Sequence, residues 1–77
     1  MSISLSDVLI HIDDALSEDE RQGVEDRLRE LDGVVSVKMP DDRPHLTLVE
    51  YVNAKIDSRA LLAAVTGAGV RAELVGL

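Results

Sequence analysis

A helix whose two ends are both marked in the sequence constrains the fold of this chain more than any other feature. Ser17 and Glu20 have the spacing of a capping box, in which each side chain satisfies a backbone N–H that the start of a helix leaves free. Gly33 closely follows Leu31, the last apolar residue at helical spacing, and a glycine there ends many helices. The sequence therefore predicts a helix from about residue 18 to residue 31.

The remaining apolar patterns predict four strands and a second helix. Val8, Ile10 and Ile12 alternate with their neighbours and would share one face of a first strand. A second helix is expected between Asp57, as its N-cap, and Gly67. The other strands are expected at residues 34–39, 45–51 and 70–75.

The resulting order, βαββαβ, limits the possible topologies. Right-handed crossovers place both helices on one face of a four-stranded antiparallel sheet. The predicted fold class is therefore α+β, a ferredoxin-like sandwich. No repeat, linker or low-complexity segment interrupts the 77 residues, so we expect one domain spanning residues 1–77.

The apolar and glycine positions between residues 7 and 74 resemble those of the heavy-metal-associated domains, a family that includes copper chaperones. The matching positions are Val24, Leu28, Leu31, Gly33, Val34, Val37, Leu62 and Gly69. The family's methionine and two metal-binding cysteines correspond here to Ala15, Ser17 and Glu20. The resemblance implies the scaffold of a soft-metal carrier, but Cu(I) needs thiolates and the chain has no cysteine. We therefore interpret Ser17 and Glu20 as a helix cap.

The net charge of −7 lies entirely in the first part of the chain. Residues 1–32 hold ten acidic and three basic side chains, whereas residues 33–77 hold five of each. Such a field repels nucleic acid and attracts a protein partner with a basic surface. The candidate contacts on the first helix are Glu18, Asp19, Glu25 and Asp26. The alternative is a solvated helix face without a partner.

Two histidines form a second candidate site. His11 ends the first strand and His45 opens the third, and these strands are antiparallel neighbours in the predicted fold. We expect both imidazoles, with Asp13, on the sheet face away from the helices. Two histidines and a carboxylate suit Zn(II), Ni(II) or Cu(II). The alternative is a pair of exposed histidines with no ligand role, and hence no cofactor.

The open sheet face is also a candidate docking or self-association surface. Leu9, Thr47 and Val49 are expected on this face, together with Val35 and Tyr51. The alternative is that polar neighbours divide these residues into isolated apolar positions.

The sequence lacks the signatures of several function classes. No glycine-rich loop opens a helix, and neither a cysteine nucleophile nor a recognisable serine triad is present, so we expect no catalytic activity. No apolar run approaches the roughly 20 residues that span a bilayer, and residues 1–5 lack a signal-peptide pattern, so we expect a cytoplasmic protein.

The sequence therefore predicts a small stand-alone protein-interaction or regulatory module that has lost the soft-metal site. The alternative is a metal-ion binding or transport protein that uses His11, His45 and Asp13.

Overall fold

The computed structural model describes residues 4–75, and their helices and strands follow the predicted order. The elements are β1 (Leu5–Ile12), α1 (Glu18–Arg29), β2 (Val34–Lys38), β3 (Leu46–Val52), α2 (Ser58–Thr66) and β4 (Ala72–Leu74). Residues 1–3, which contributed to the expected cytoplasmic location, lie outside the described part. Neither α1 nor α2 has the length and apolar character needed to cross a membrane.

The strands form one antiparallel sheet in the order β2-β3-β1-β4. In the two central strands, Val8 lies opposite Val49 and Ile10 lies opposite Thr47. The helices α1 and α2 contact each other and cover the sheet face that carries these four residues. The predicted ferredoxin-like fold is confirmed.

Local chemistry fixes both ends of α1. The Ser17 hydroxyl accepts a hydrogen bond from the Glu20 backbone N–H at 3.2 Å, and the Glu20 carboxylate accepts one from the Ser17 N–H at 2.9 Å. The predicted capping box is therefore present. The helix ends at Arg29, two residues earlier than predicted, because the chain tightens into a turn in which the Leu31 N–H binds the Leu28 carbonyl. Gly33 then adopts a φ of +104°, a conformation that favours glycine.

Aliphatic side chains build the core between the helices and the sheet. The buried apolar residues are Val8, Ile10, Ile12, Val24, Leu28, Val37, Val49, Tyr51, Leu61 and Val65. Thr47 is the one buried polar residue among those described, and its Oγ1 has no hydrogen-bond partner within residues 4–75. The core leaves the opposite face of the sheet uncovered.

The predicted open-face positions of Thr47, Val49 and Tyr51 are wrong. Thr47 and Val49 are 0% exposed and Tyr51 is 8% exposed, all beneath the helices. The antiparallel register explains this, because directly paired residues project from the same face and Val8 and Ile10 face the helices. Thr47 and Val49 are therefore core residues and not partner-binding residues.

Candidate functional site

His11 occupies the uncovered face of the sheet near the end of β1. Its cross-strand neighbours are Leu46 on β3 and Glu73 on β4. Asp13 follows two residues later, and its backbone N–H donates to the Arg71 carbonyl at 2.8 Å, which continues the β1–β4 pairing beyond the strand. Since alternate residues of an extended chain share a face, His11 and Asp13 point the same way.

A direct contact joins His11 to Asp13. The His11 Nδ1 lies 2.9 Å from an Asp13 carboxylate oxygen, and the two side chains are 40% and 44% exposed. An ionised carboxylate only accepts hydrogen bonds, so Nδ1 carries the proton and donates it. Asp13 therefore orients the imidazole ring of His11.

His45 lies immediately before β3 and stacks on His11. The ring centroids are 5.7 Å apart and the ring planes differ by 16°. The His45 Nδ1 donates to the Ile12 carbonyl at 2.8 Å, and the Ile12 N–H donates to the His45 carbonyl at 2.7 Å. The two imidazoles thus lie side by side, as expected, although His45 is held there by the backbone of β1 and not by its place in a strand.

Glu73 is the site residue that the sequence reasoning missed. Ligand atoms of His11, Asp13 and Glu73 all lie within 4.8 Å of one another, and His45 does not belong to this group. A signal for Glu73 was present, because it lies between the apolar residues Ala72 and Leu74 and must face away from the core. Recognising it also required the pairing of β4 with β1, which is a long-range feature.

Asp14, the neighbour of Asp13, is committed to a structural contact. Its carboxylate accepts hydrogen bonds from the Arg71 backbone N–H at 2.9 Å and from the Arg71 Nε at 3.1 Å. These hydrogen bonds, with the guanidinium charge, lower the pKa of Asp14 below its ordinary value of 3.8. The pair ties the β1–α1 loop to the segment that enters β4.

The predicted acidic contacts on α1 are spread around its solvent-facing side. Glu18, Asp19 and Asp26 are exposed, whereas Glu25 is half-buried and pairs with Arg29 at 3.5 Å. The Gln22 side-chain amide donates to both Glu25 and Asp26 at 2.9 Å. These side chains therefore do not converge on one point.

A groove of about 410 Å³ separates α1 from the segment that joins α2 to β4, and we name it the α1 groove. Its lining residues are Glu20, Gly23, Val24, Asp26, Arg27, Glu30, Ala68 and Val70. Asp26 is the one predicted partner contact that lines it. Glu18 and Glu25 line a smaller groove of about 290 Å³ beside Met39 and Asp41.

The uncovered sheet face is only partly apolar. Leu9 and Leu48 lie directly opposite each other on β1 and β3, and Leu48 is 36% exposed. Asp7 and Glu50 form the next pair on this face, so two carboxylates interrupt the apolar surface. Val35 is exposed beside an irregularity in the β2–β3 pairing.

Several solved structures share this fold, and two of the following three come from P-type ATPases. A copper binding domain from the P-type ATPase HMA7 has a TM-score of 0.82 at 14% identity, covering 91% of this chain and 93% of that one. Oxidized MerP from Ralstonia metallidurans CH34 has a TM-score of 0.82 at 17% identity, covering 92% of this chain and 97% of that one. The N-terminal domain of a potential copper-translocating P-type ATPase from Bacillus subtilis, in its Cu(I)-loaded state, has a TM-score of 0.82 at 20% identity, with coverages of 92% and 88%.

These comparisons confirm the resemblance to heavy-metal-associated domains at the level of the fold. At such identities they establish the fold alone. No protein-family model matches the chain, and no curated protein sequence is significantly similar to it.

The Cu(I) binding of the Bacillus subtilis domain does not fit the residues of this chain. Cu(I) prefers soft thiolate ligands, and the sequence contains no cysteine. Ser17 and Glu20, the predicted counterparts of the family cysteines, both use their side-chain oxygens to cap α1. This loop is therefore a structural element here.

Proposed function

We propose that this chain is a non-catalytic interaction module that binds a basic segment of a protein partner in the α1 groove. It keeps the fold of the heavy-metal-associated domains without their thiolate site. The observation that carries the proposal is a single groove with apolar residues in its lining and acidic residues among them.

The apolar part of the groove provides room for a side chain of the partner. Val24, Ala68 and Val70 contribute apolar surface from both sides. A Cβ added at Gly23 would have no heavy atom within 4 Å, so the space above this turn of α1 is open. A short aliphatic side chain would be partly desolvated there, which favours binding by the hydrophobic effect.

The charged part of the groove selects a cationic partner. Glu20, Asp26 and Glu30 line it, while the Arg27 Nε donates to the Ala64 carbonyl at 2.8 Å. The net negative charge complements lysine or arginine side chains and speeds encounter with a basic surface. A second copy of this chain, with a net charge of −7, is disfavoured as the partner.

A peptide titration tests this function. We would titrate the ¹⁵N-labelled protein with ten-residue peptides in which lysines or arginines flank one leucine, and follow amide shifts. Asp26→Asn with Glu30→Gln should weaken binding roughly 2- to 30-fold, since exposed ion pairs contribute about 0.2–1 kcal/mol each. The control, Asp7→Asn with Glu50→Gln, changes the net charge equally on the uncovered sheet face. Equal weakening by both pairs would contradict the proposal.

A steric variant separates groove binding from general charge attraction. Gly23→Leu should fill the α1 groove and abolish the peptide-induced shifts along α1. Gly23→Ala is the matched control, since either substitution favours the helix by up to about 1 kcal/mol but alanine leaves most of the groove open. Binding that survives in the leucine variant would show that the partner uses another surface.

A further inference from the structure

We propose that His11, Asp13 and Glu73 bind one divalent transition-metal ion at the β1–β4 edge of the sheet. The site is separate from the α1 groove, so it does not depend on the docking of a basic partner. It is also distinct from the cap of α1, which the Ser17 and Glu20 side chains form.

The ligand atoms already lie at distances that an ion can bridge. Asp13 contacts the Nδ1 side of His11 at 2.9 Å, and a carboxylate oxygen of Glu73 completes a group within 4.8 Å. Two ligand atoms that are each about 2.0–2.1 Å from a tetrahedral Zn(II) are roughly 3.3 Å apart. This separation is slightly longer than the His11–Asp13 contact and shorter than the 4.8 Å limit of the group. Small rotations of exposed side chains therefore suffice. The ion binds the Nδ1 lone pair of the neutral ring, whose single proton moves through solvent from Nδ1 to Nε2.

The donor set selects the class of metal. One imidazole nitrogen and two carboxylate oxygens suit Zn(II), Ni(II) or Cu(II), whereas Cu(I) prefers soft sulfur ligands. Three protein ligands also leave at least one coordination position for water or for a side chain of another molecule.

His45 supports this site without supplying a ligand. Its ring stacks on His11 and its Nδ1 is held by the Ile12 carbonyl. The stack and the Asp13 contact limit the rotation of His11 from two sides. The ligand set is thus one histidine and two carboxylates, and not the two histidines and one carboxylate expected from the sequence.

Metal binding should fasten β4 to the sheet. This three-residue strand pairs with β1 alone, through Ala72, Glu73 and Leu74. His11 belongs to β1 and Asp13 directly follows this strand, whereas Glu73 belongs to β4. One ion bound by all three residues therefore links the two strands. A ligand that binds only the paired state stabilises that pairing by mass action.

Calorimetry and NMR with Zn(II) alone test the proposal on the full chain. We expect one Zn(II) per protein, shifts of the His11 side-chain nitrogens, and slower hydrogen exchange at the Glu73 and Val75 amides, which face β1. Glu73→Gln and His11→Gln should each weaken Zn(II) binding by about tenfold or more. Glu50→Gln, the same change on the same sheet face, should alter the affinity less than about twofold. His45→Gln removes a ring that orients His11 but no ligand, so it should weaken binding less than Glu73→Gln does.

Three outcomes would overturn this proposal. The first is that Zn(II) produces no saturable heat, and the second is that Glu50→Gln weakens binding as much as Glu73→Gln does. The third is that His45→Gln abolishes binding while Glu73→Gln leaves it intact, which would assign the ion to the two histidines. Because Glu73 is exposed, its variant should remain folded, and the amide spectrum provides that check.

Discussion

Both faces of the sheet carry apolar residues, yet the two faces have different surroundings. On β3, Thr47 and Val49 are fully buried under the helices, while the larger apolar residue Leu48, between them in sequence, is 36% exposed. The pairing register with β1 decides this. Val8 and Ile10 face the helices, and the β3 residues paired with them project from the same face of the sheet. Burial in this sheet therefore depends on strand pairing more than on the hydropathy of each residue.

The polar groups on the two sides also differ. On the helix side, Ser17 and Glu20 cap α1 and the Thr47 hydroxyl is enclosed by the core. On the uncovered side, His11, Asp13 and Glu73 lie close to one another and are accessible to solvent. This asymmetry favours the uncovered face as the place where an ion reaches its ligands.

The largest expected effect tests the two faces of β3 directly. Val49→Ala should lower the free energy of unfolding by about 2–3 kcal/mol, because it leaves a cavity in the core. Leu48→Ala removes more atoms but should cost less than about 1 kcal/mol, since Leu48 is already partly in water. Urea unfolding of both variants measures the difference, and a larger loss for Leu48→Ala would reverse the assignment of the faces.

The orientation of β3 was hard to predict because each of its faces carries apolar residues and one polar residue. Leu46, Leu48 and Glu50 lie on one side, and Thr47, Val49 and Tyr51 lie on the other. In β1 the alternation of Val8, Ile10 and Ile12 was sufficient, and their burial is confirmed. The orientation of β3 follows only from its pairing with β1.

A smaller effect is expected at the cap of α1. Ser17→Ala should lower the free energy of unfolding by about 0.5–2 kcal/mol, since the Glu20 backbone N–H loses its acceptor. It should leave Zn(II) binding unchanged, because the Ser17 hydroxyl caps α1 and is not one of the proposed ligands. Ser36→Ala on β2 is the control and should change stability by no more than about 0.5 kcal/mol. Loss of Zn(II) affinity without loss of stability would identify Ser17 as a ligand.

Local features were therefore predictable, whereas the composition of the candidate metal site was not. The capping box depends on residues three apart and was predicted correctly from the sequence. Glu73 meets His11 only through the β1–β4 pairing, across about sixty residues of chain. His45 precedes β3 and is positioned by the Ile12 carbonyl, so strand alternation did not apply to it.

Thr47→Val should act in the opposite direction and stabilise the protein by roughly 0.5–1 kcal/mol. Valine has nearly the same shape, and it removes a buried hydroxyl that lacks a hydrogen-bond partner within residues 4–75. Thermal or urea unfolding measures the gain, with Thr66→Val on the exposed end of α2 as the control. A loss of stability would show that the Thr47 hydroxyl is satisfied in solution, for instance by a buried water molecule.

The smallest effect concerns the contact that joins the β1–α1 loop to β4. Arg71 lowers the pKa of Asp14 below 3.8 in the folded state, so folding favours the ionised carboxylate. The contact therefore contributes its full stability above the unfolded-state pKa and loses it as the pH falls through the lower, folded-state pKa. Asp14→Asn should have a lower free energy of unfolding than the natural protein at pH 7. This difference between the two proteins, the stability gap, should become smaller below pH 3.8.

Urea midpoints between pH 7 and pH 2 measure this gap, and the difference between the two proteins isolates Asp14 from the other carboxylates. Asp42→Asn, in the exposed turn before β3, is the matched control for the loss of one negative charge. A gap that stays constant with pH would show that the Arg71 contact does not favour the ionised form. If Asp14→Asn also leaves the Zn(II) affinity intact, the Asp14–Arg71 contact and the proposed metal site at Asp13 act independently, although the two residues are adjacent in the chain.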